Sequence, residues 1–200
     1  MEFNYSIDFE VERIKEVLKK IPWYKEKGYD IKKLRIPTSN LRITDKGLYK
    51  LVEGEFKESA YGKAKKKLMD YEPIVVKLIT ELNRIFKSDK KSINVFITRY
   101  GTGGSYSTPK SVVINASLSN THLILFHEIV HLYIEPFVKK YKIDHWKKER
   151  VVDLILNSER FNFLEYGGRW QGDYNGTDNE VDQEFNLLFD NPEKFFKSIS

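Results

Sequence analysis

Cysteine is absent from the 200-residue chain. That excludes a disulfide framework, a zinc finger and thiol chemistry, and leaves His, Asp and Glu to hold any metal. Long apolar runs are missing as well: residues 1–20 alternate charged and apolar side chains, without the continuous stretch of a signal peptide or a membrane span. A cytoplasmic protein with no membrane partner is therefore expected. Charge of one sign is in short supply too. The net excess is +5, and the basic residues are dispersed among acids. The densest basic stretch, residues 63–67, has no interleaved aromatic platform. It reads as a solvated helix face, so nucleic acid is not an expected partner. Internal repeats and low-complexity segments are also lacking.

With 40% hydrophobic residues, the chain has enough apolar material for one good core, and the length favours a single unit over residues 1–200. Residues 1–91 read as a mostly helical part. The spacing of Phe9, Ile14, Val17, Leu18 and Ile21 predicts a helix over residues 8–20 that Pro22 ends. Residues 23–54, broken by Gly28, Pro37 and Gly47, read as loops with short strands or turns. Residues 61–86 read as a helix or helix pair located by Pro73, with Ile74, Leu78, Leu82 and Ile85 inside.

From residue 92 the pattern changes. Ile93, Val95 and Ile97 alternate as in a strand, residues 101–109 read as a turn, and Ser111–Asn115 as a second strand. Residues 118–134 are apolar nearly all round, with capping candidates Ser119, Asn120 and Thr121 ahead and Pro136 behind. A helix of that kind is buried. Residues 145–163 and 180–189 supply further helices, separated by a loop-like stretch after Gly167.

The buried helix carries His127-Glu128-Ile129-Val130-His131. Residues four apart share a helix face, so both imidazoles can reach one ion. Glu128, one position along, misses the metal but can take a proton from water held there. In a core helix these polar side chains would be costly without a metal to compensate them. A catalytic zinc needs a third protein ligand and one open position. Glu149 on the following helix is the candidate, and Asp153, one turn further, can sit behind His127 and fix its tautomer. Asp144, His145 and Glu159 compete for the ligand position; His145 lies near the start of its helix, and Glu159 has no downstream acid at that spacing.

These residues resemble the gluzincin branch of zinc metallopeptidases, which includes thermolysin and the zinc aminopeptidases. The resemblance spans roughly residues 92–159 and rests on the His127–His131 motif with Glu149 and Asp153 downstream. It implies an α+β zincin-like catalytic part over residues 92–200, one zinc per chain held by His127, His131 and Glu149, Glu128 as general base, and a peptide or protein substrate. It also implies a sheet edge that holds an extended peptide, expected at Val112, Val113, Ile114 and Asn115. Two departures are visible: the gap from His131 to Glu149 is slightly short, and Lys147-Lys148 stand where Asn or Gly is usual before the ligand Glu. A metzincin is excluded because Glu135-Pro136 follow His131 in place of a Gly and a third His.

An oxyanion donor opposite the metal is expected from Tyr166, Arg169 or Tyr174, with His145 as a further candidate. A phosphate-binding loop ending in Pro109-Lys110-Ser111 is rejected, since Pro109 replaces the essential Gly and a strand follows. A calcium loop through Asp173, Asn175, Thr177 and Glu184 fails at Asp178, where Gly is required. The competing readings are a catalytically silent zincin-like binding or regulatory module, and a metal-free helical interaction protein. The oligomeric state is not fixed by the sequence.

Overall fold

Residues 1–36, 44–167 and 178–200 are described by the computed structural model. A four-stranded sheet is built from β1 (Glu2–Asn4), β2 (Asn94–Thr98), β3 (Gly104–Ser107) and β4 (Ser111–Asn115), in the order β1-β2-β4-β3. The β1/β2 and β2/β4 pairs are parallel and the β3/β4 pair is antiparallel. Around it lie α1 (Ile7–Glu26), α2 (Asp45–Glu55), α3 (Glu58–Met69), α4 (Glu72–Phe86), α5 (Thr121–Tyr141), α6 (His145–Asn157), α7 (Asp178–Leu188) and α8 (Pro192–Ser198). Two short 3₁₀ turns cover Ile31–Lys33 and Glu159–Leu164. The class is α+β, and among the described residues no helix is long and apolar enough to cross a membrane.

Local chemistry sets the element ends. The Ser6 side chain accepts from the Phe9 amide to open α1, Thr44 does the same for α2 through Gly47, and Asp144 opens α6 through Trp146. Lys142 closes α5 in the left-handed conformation at φ 54°. Two helices run past the prolines expected to stop them. Pro22 lies inside α1 and Pro136 inside α5. A proline costs a helix one N–H and adds a local clash, but burial beyond it can outweigh that. Past Pro22, Tyr24 is buried. Past Pro136, Phe137 stacks on Phe196 at 5.0 Å and packs against Phe86 at 5.8 Å.

Further elements depart from the sequence reading: α8 follows the last helix expected, the helix expected over residues 145–163 breaks into α6 and a 3₁₀ turn, and three more differ in the earlier chain. β1 adds a strand to the N-terminal part, α2 occupies part of the stretch read as loops, and β3 lies inside the stretch read as a turn. Gly-Ser-Tyr-Ser carries too little β-branched or apolar signal to be read as a strand. It becomes one by pairing with β4, Gly104 opposite Ile114 and Tyr106 opposite Val112.

The main core crosses the boundary at residues 91–92: Tyr61, Leu68, Leu78 and Leu82 from α3 and α4 join Ile97, Ile114, Phe126, Ile155 and Phe195 from later elements. A smaller cluster of Val11, Ile14, Leu48, Val52 and Tyr100 binds α1 and α2 to the end of β2. At that end Glu10 is fully buried. It accepts hydrogen bonds from the Tyr61 and Thr98 hydroxyls and from the Arg99 amide at 2.8 Å. This pins α1 across the sheet end, and its C-terminal half lines one cleft together with β3.

Candidate metal centre

α5 is buried on almost every side through its middle, from Leu125 to Ile134. On it, His127, Glu128 and His131 are only 5%, 6% and 2% exposed. Three polar groups at that depth need partners. α6 packs on α5 and brings in Glu149 and Asp153, themselves 4% and 0% exposed.

The two His Nε2 atoms are 3.0 Å apart, Glu149 Oε2 is 3.1 Å from His127 Nε2, and it is 3.3 Å from His131 Nε2. Ligands of a tetrahedral zinc at bond lengths of about 2.0–2.1 Å would be about 3.3 Å from one another. The triangle therefore has the size of one face of a zinc coordination sphere, and two imidazole nitrogens with a carboxylate oxygen are donors that zinc accepts. His127, His131 and Glu149 also line the cleft, which leaves the fourth direction open to water or substrate.

The electrostatics agree with that donor set. Burial pulls His131 down to about 3, against a weaker upward pull from Glu149, so its imidazole is neutral, as a ligand must be. Glu149 is held well below the usual carboxylate range: burial opposes its charge, but the two imidazoles outweigh burial. Burial likewise pulls His127 down, and the Glu149 hydrogen bond with the charges of Glu149, Glu128 and Asp153 carries it upward.

Behind the triangle, Asp153 Oδ1 stands 4.0 Å from His127 Nδ1. Tyr166, expected as an oxyanion donor, turns its hydroxyl to Asp153 Oδ1 at 3.4 Å. Tyr166 also lines the cleft with His127, His131 and Glu149. Tyr174 and Arg169, the other two named for that role, lie outside the described residues. Of the competing ligands, Asp144 is spent capping α6 and Glu159 starts the 3₁₀ turn after it.

Glu128 faces the cleft with its carboxylate against β3. A methyl group at Gly104 would come within 2.5 Å of Glu128 Oε1 and 2.6 Å of Ile124 Cγ2, so only glycine allows this approach. Burial, with the Glu149 charge adding and His127 opposing, lifts the Glu128 carboxyl to about 7, in the range of a general base at neutral pH. A divalent cation in the triangle would pull it back down.

The expectation of a substrate edge at Val112, Val113, Ile114 and Asn115 is not met. β4 is paired on both sides, with β2 and with β3, so it has no free main-chain groups for strand addition. Asn115 instead donates through Nδ2 to the Thr102 carbonyl at 3.2 Å and accepts from the Ser117 amide at 2.9 Å, holding the loop before β3. Among the described residues, the strand with an unpaired edge beside the centre is β3, and Gly103, Gly104, Ser105 and Tyr106 line the cleft.

Several residues of the site carry no sequence signal. Tyr106 stacks on His131, centroids 4.6 Å apart and planes 13° apart, and its hydroxyl donates to Glu135 at 2.5 Å. Lys148 reaches Glu149 Oε1 at 3.2 Å. His145 lies 3.6 Å from Glu149 Oε1, and its Nε2 shares a 2.9 Å hydrogen bond with the Tyr29 hydroxyl. Burial lowers His145, so it is neutral, and burial with the nearby charges of Glu149 and Glu128 raises Tyr29, which keeps its proton. Of these, His145 is the one the sequence offers, as a competing ligand and an oxyanion candidate; Tyr29 lies too far along the chain for any pattern to find it.

Compared with protein families, curated proteins and solved structures, the chain matches none, so the likeness to gluzincins rests on His127, Glu128, His131, Glu149 and Asp153 themselves.

Proposed function

We propose that this chain is a zinc-dependent peptide hydrolase of gluzincin-like, zincin-like design. The observation that carries the reading is the triangle of His127 Nε2, His131 Nε2 and Glu149 Oε2 at 3.0–3.3 Å, opening on a cleft that Glu128 also lines. Zinc held there supplies Lewis acidity toward a carbonyl and toward water. Glu128, buried beside the triangle without belonging to it, accepts a proton from the attacking water and returns it to the leaving amine. The open edge of β3 offers main-chain donors and acceptors to an extended peptide, fixing the scissile bond near Glu128. Tyr29, protonated and hydrogen-bonded to His145 on the cleft wall, is a hydroxyl able to meet developing negative charge.

A silent binding module built on the same site is the second reading. Gly104 speaks against it, because its lack of a side chain serves the Glu128 carboxylate, which holds no metal. The test is zinc analysis of the purified chain, followed by a zinc-replete peptide-library screen of wild type and Glu128→Gln. About one zinc per chain in both, with cleavage by wild type alone, is the expected result. No zinc after reconstitution would end the metal reading, and zinc without cleavage would leave the binding module.

A further inference from the structure

The cleft has two unlike walls, enclosing about 810 Å³. One is β3 with α5. The other is the C-terminal half of α1, which presents Lys19, Lys20, Trp23 and Tyr24, continued by Tyr29 and His145. Charge on the lining is unbalanced in a particular way. The acids Glu128, Glu135 and Glu149 are each engaged: Glu149 with the imidazoles and Lys148, Glu135 with Tyr106 and Lys139, and Glu128 buried against Gly104. Lys19 and Lys20 are exposed, and neither has a carboxylate partner among the described residues. Two cations therefore face the cleft unmatched.

Beside them Trp23 is 39% exposed, a large apolar surface left to solvent. Its ring is held rigidly: Tyr29 stacks on it at 5.8 Å, while Tyr24 and His145 meet it edge-on at 5.4 and 5.2 Å. An aromatic ring already fixed by neighbours loses little freedom when a ligand packs on it. His145 joins this wall to the metal centre through Glu149.

We propose that the cleft selects peptides in which an acidic side chain adjoins a large apolar one, the carboxylate meeting Lys19 and Lys20 and the apolar group packing on Trp23 and Tyr29. The inference rests on the reading that the cleft holds peptides and specifies which ones. A nucleic-acid strand would also bring negative charge and a stackable ring, but the opposite wall is an unpaired strand edge, whose alternating amides and carbonyls match a peptide backbone.

The test is fluorescence anisotropy with three labelled peptides that differ at one dipeptide, Glu-Phe, Lys-Phe or Glu-Ala. They are offered to metal-free wild type and to zinc-loaded Glu128→Gln, so that no turnover intervenes. Glu-Phe should bind about tenfold more tightly than Lys-Phe at low salt, with the gap narrowing at high salt. Lys19→Glu combined with Lys20→Glu should invert that order, and Trp23→Ala should erase the advantage of Glu-Phe over Glu-Ala while keeping the charge preference. Equal affinities, indifference to the charge reversal, or displacement of the peptide by an equal concentration of single-stranded oligonucleotide would overturn the proposal. Charge selection without cleavage by wild type would count against the hydrolase alone. Cleavage without selection would count against this specificity alone.

Discussion

Among the buried carboxylates, Glu10 on α1 and Glu149 on α6 have surroundings that differ in kind. Around Glu10 the protein supplies donors: the Tyr61 and Thr98 hydroxyls and the Arg99 amide all point at it. Around Glu149 it supplies Lys148 at 3.2 Å to one oxygen, while the other oxygen meets two imidazole nitrogens able to give an electron pair, at 3.1 and 3.3 Å. A buried charge matched by fixed donors is finished as a piece of structure. A buried cluster of electron-pair donors converging on one point is complete only when a cation sits at that point, or when protons replace it. The same burial thus fastens α1 in one place and builds a binding site in the other.

The largest expected effect separates the two. Adding zinc to the metal-free chain should raise the melting temperature of wild type and of Glu10→Gln alike, because a ligand bound only by the folded state stabilises by mass action. Glu149→Ala should abolish that rise. Asp153→Ala should retain it while weakening zinc by about ten- to a hundredfold, as expected of a residue that orients His127 without touching the ion. Calorimetric zinc titrations would decide, and equal losses in the two α6 variants would reverse their assigned roles.

Glu10→Ala is next in size and opposite in character. It strands three donors inside the protein and loosens the joint between α1, α3 and β2. A loss of about 3 kcal/mol in urea unfolding is expected, the same with and without zinc. If the loss disappeared in the presence of zinc, Glu10 would belong energetically to the metal centre and the contrast would fail.

Legibility in the sequence divides along similar lines. His127, Glu128 and His131 could be read because a helix converts spacing into shared direction, and Glu149 with Asp153 repeats the device on the next helix. The same reasoning failed wherever distant segments decide. β3 is a strand only because β4 pairs with it, Pro136 sits within α5 because Phe137 is wanted by Phe86 and Phe196, and Tyr29 meets His145 across more than half the chain. Glu10 carries no signal of its own in the sequence, and nothing local tells that Tyr61 and Thr98 will close over it. The substrate edge was displaced by one strand for this reason: the apolar run of β4 is the visible signal, but that strand pairs on both sides inside the sheet, and the edge position went to weak Gly-Ser-Tyr-Ser.

Gly104 tests how closely that edge and the base are fitted. Gly104→Ala would place a methyl group within 2.5 Å of Glu128 Oε1 and force the carboxylate or the strand aside. Hydrolysis should fall by about a hundredfold, the usual consequence of a catalytic group misplaced by about 1 Å, while zinc content stays at the wild-type level. Unchanged turnover in Gly104→Ala would mean that Glu128 does not act from the position seen here.

The smallest effect concerns the proton on Glu10. Burial raises its pKa above the ordinary 4.5, although the Thr98, Tyr61 and Arg99 hydrogen bonds and the Arg13 charge all pull the other way. The folded state consequently holds that proton more tightly than the unfolded chain does. Below the unfolded value both states are protonated and the contribution of Glu10 to stability is complete. As pH climbs through the raised folded value, the folded state must give the proton up at a cost, and stability is lost. Glu10→Gln keeps the shape and one acceptor oxygen but has nothing to titrate. Urea unfolding of both proteins without zinc, from mildly acidic to neutral pH, should therefore show wild type losing ground to Glu10→Gln as pH rises, with the other titrating groups cancelling between them. A difference that is flat across the range would show that the converging donors fully offset burial, and a difference of the opposite slope would show that they exceed it.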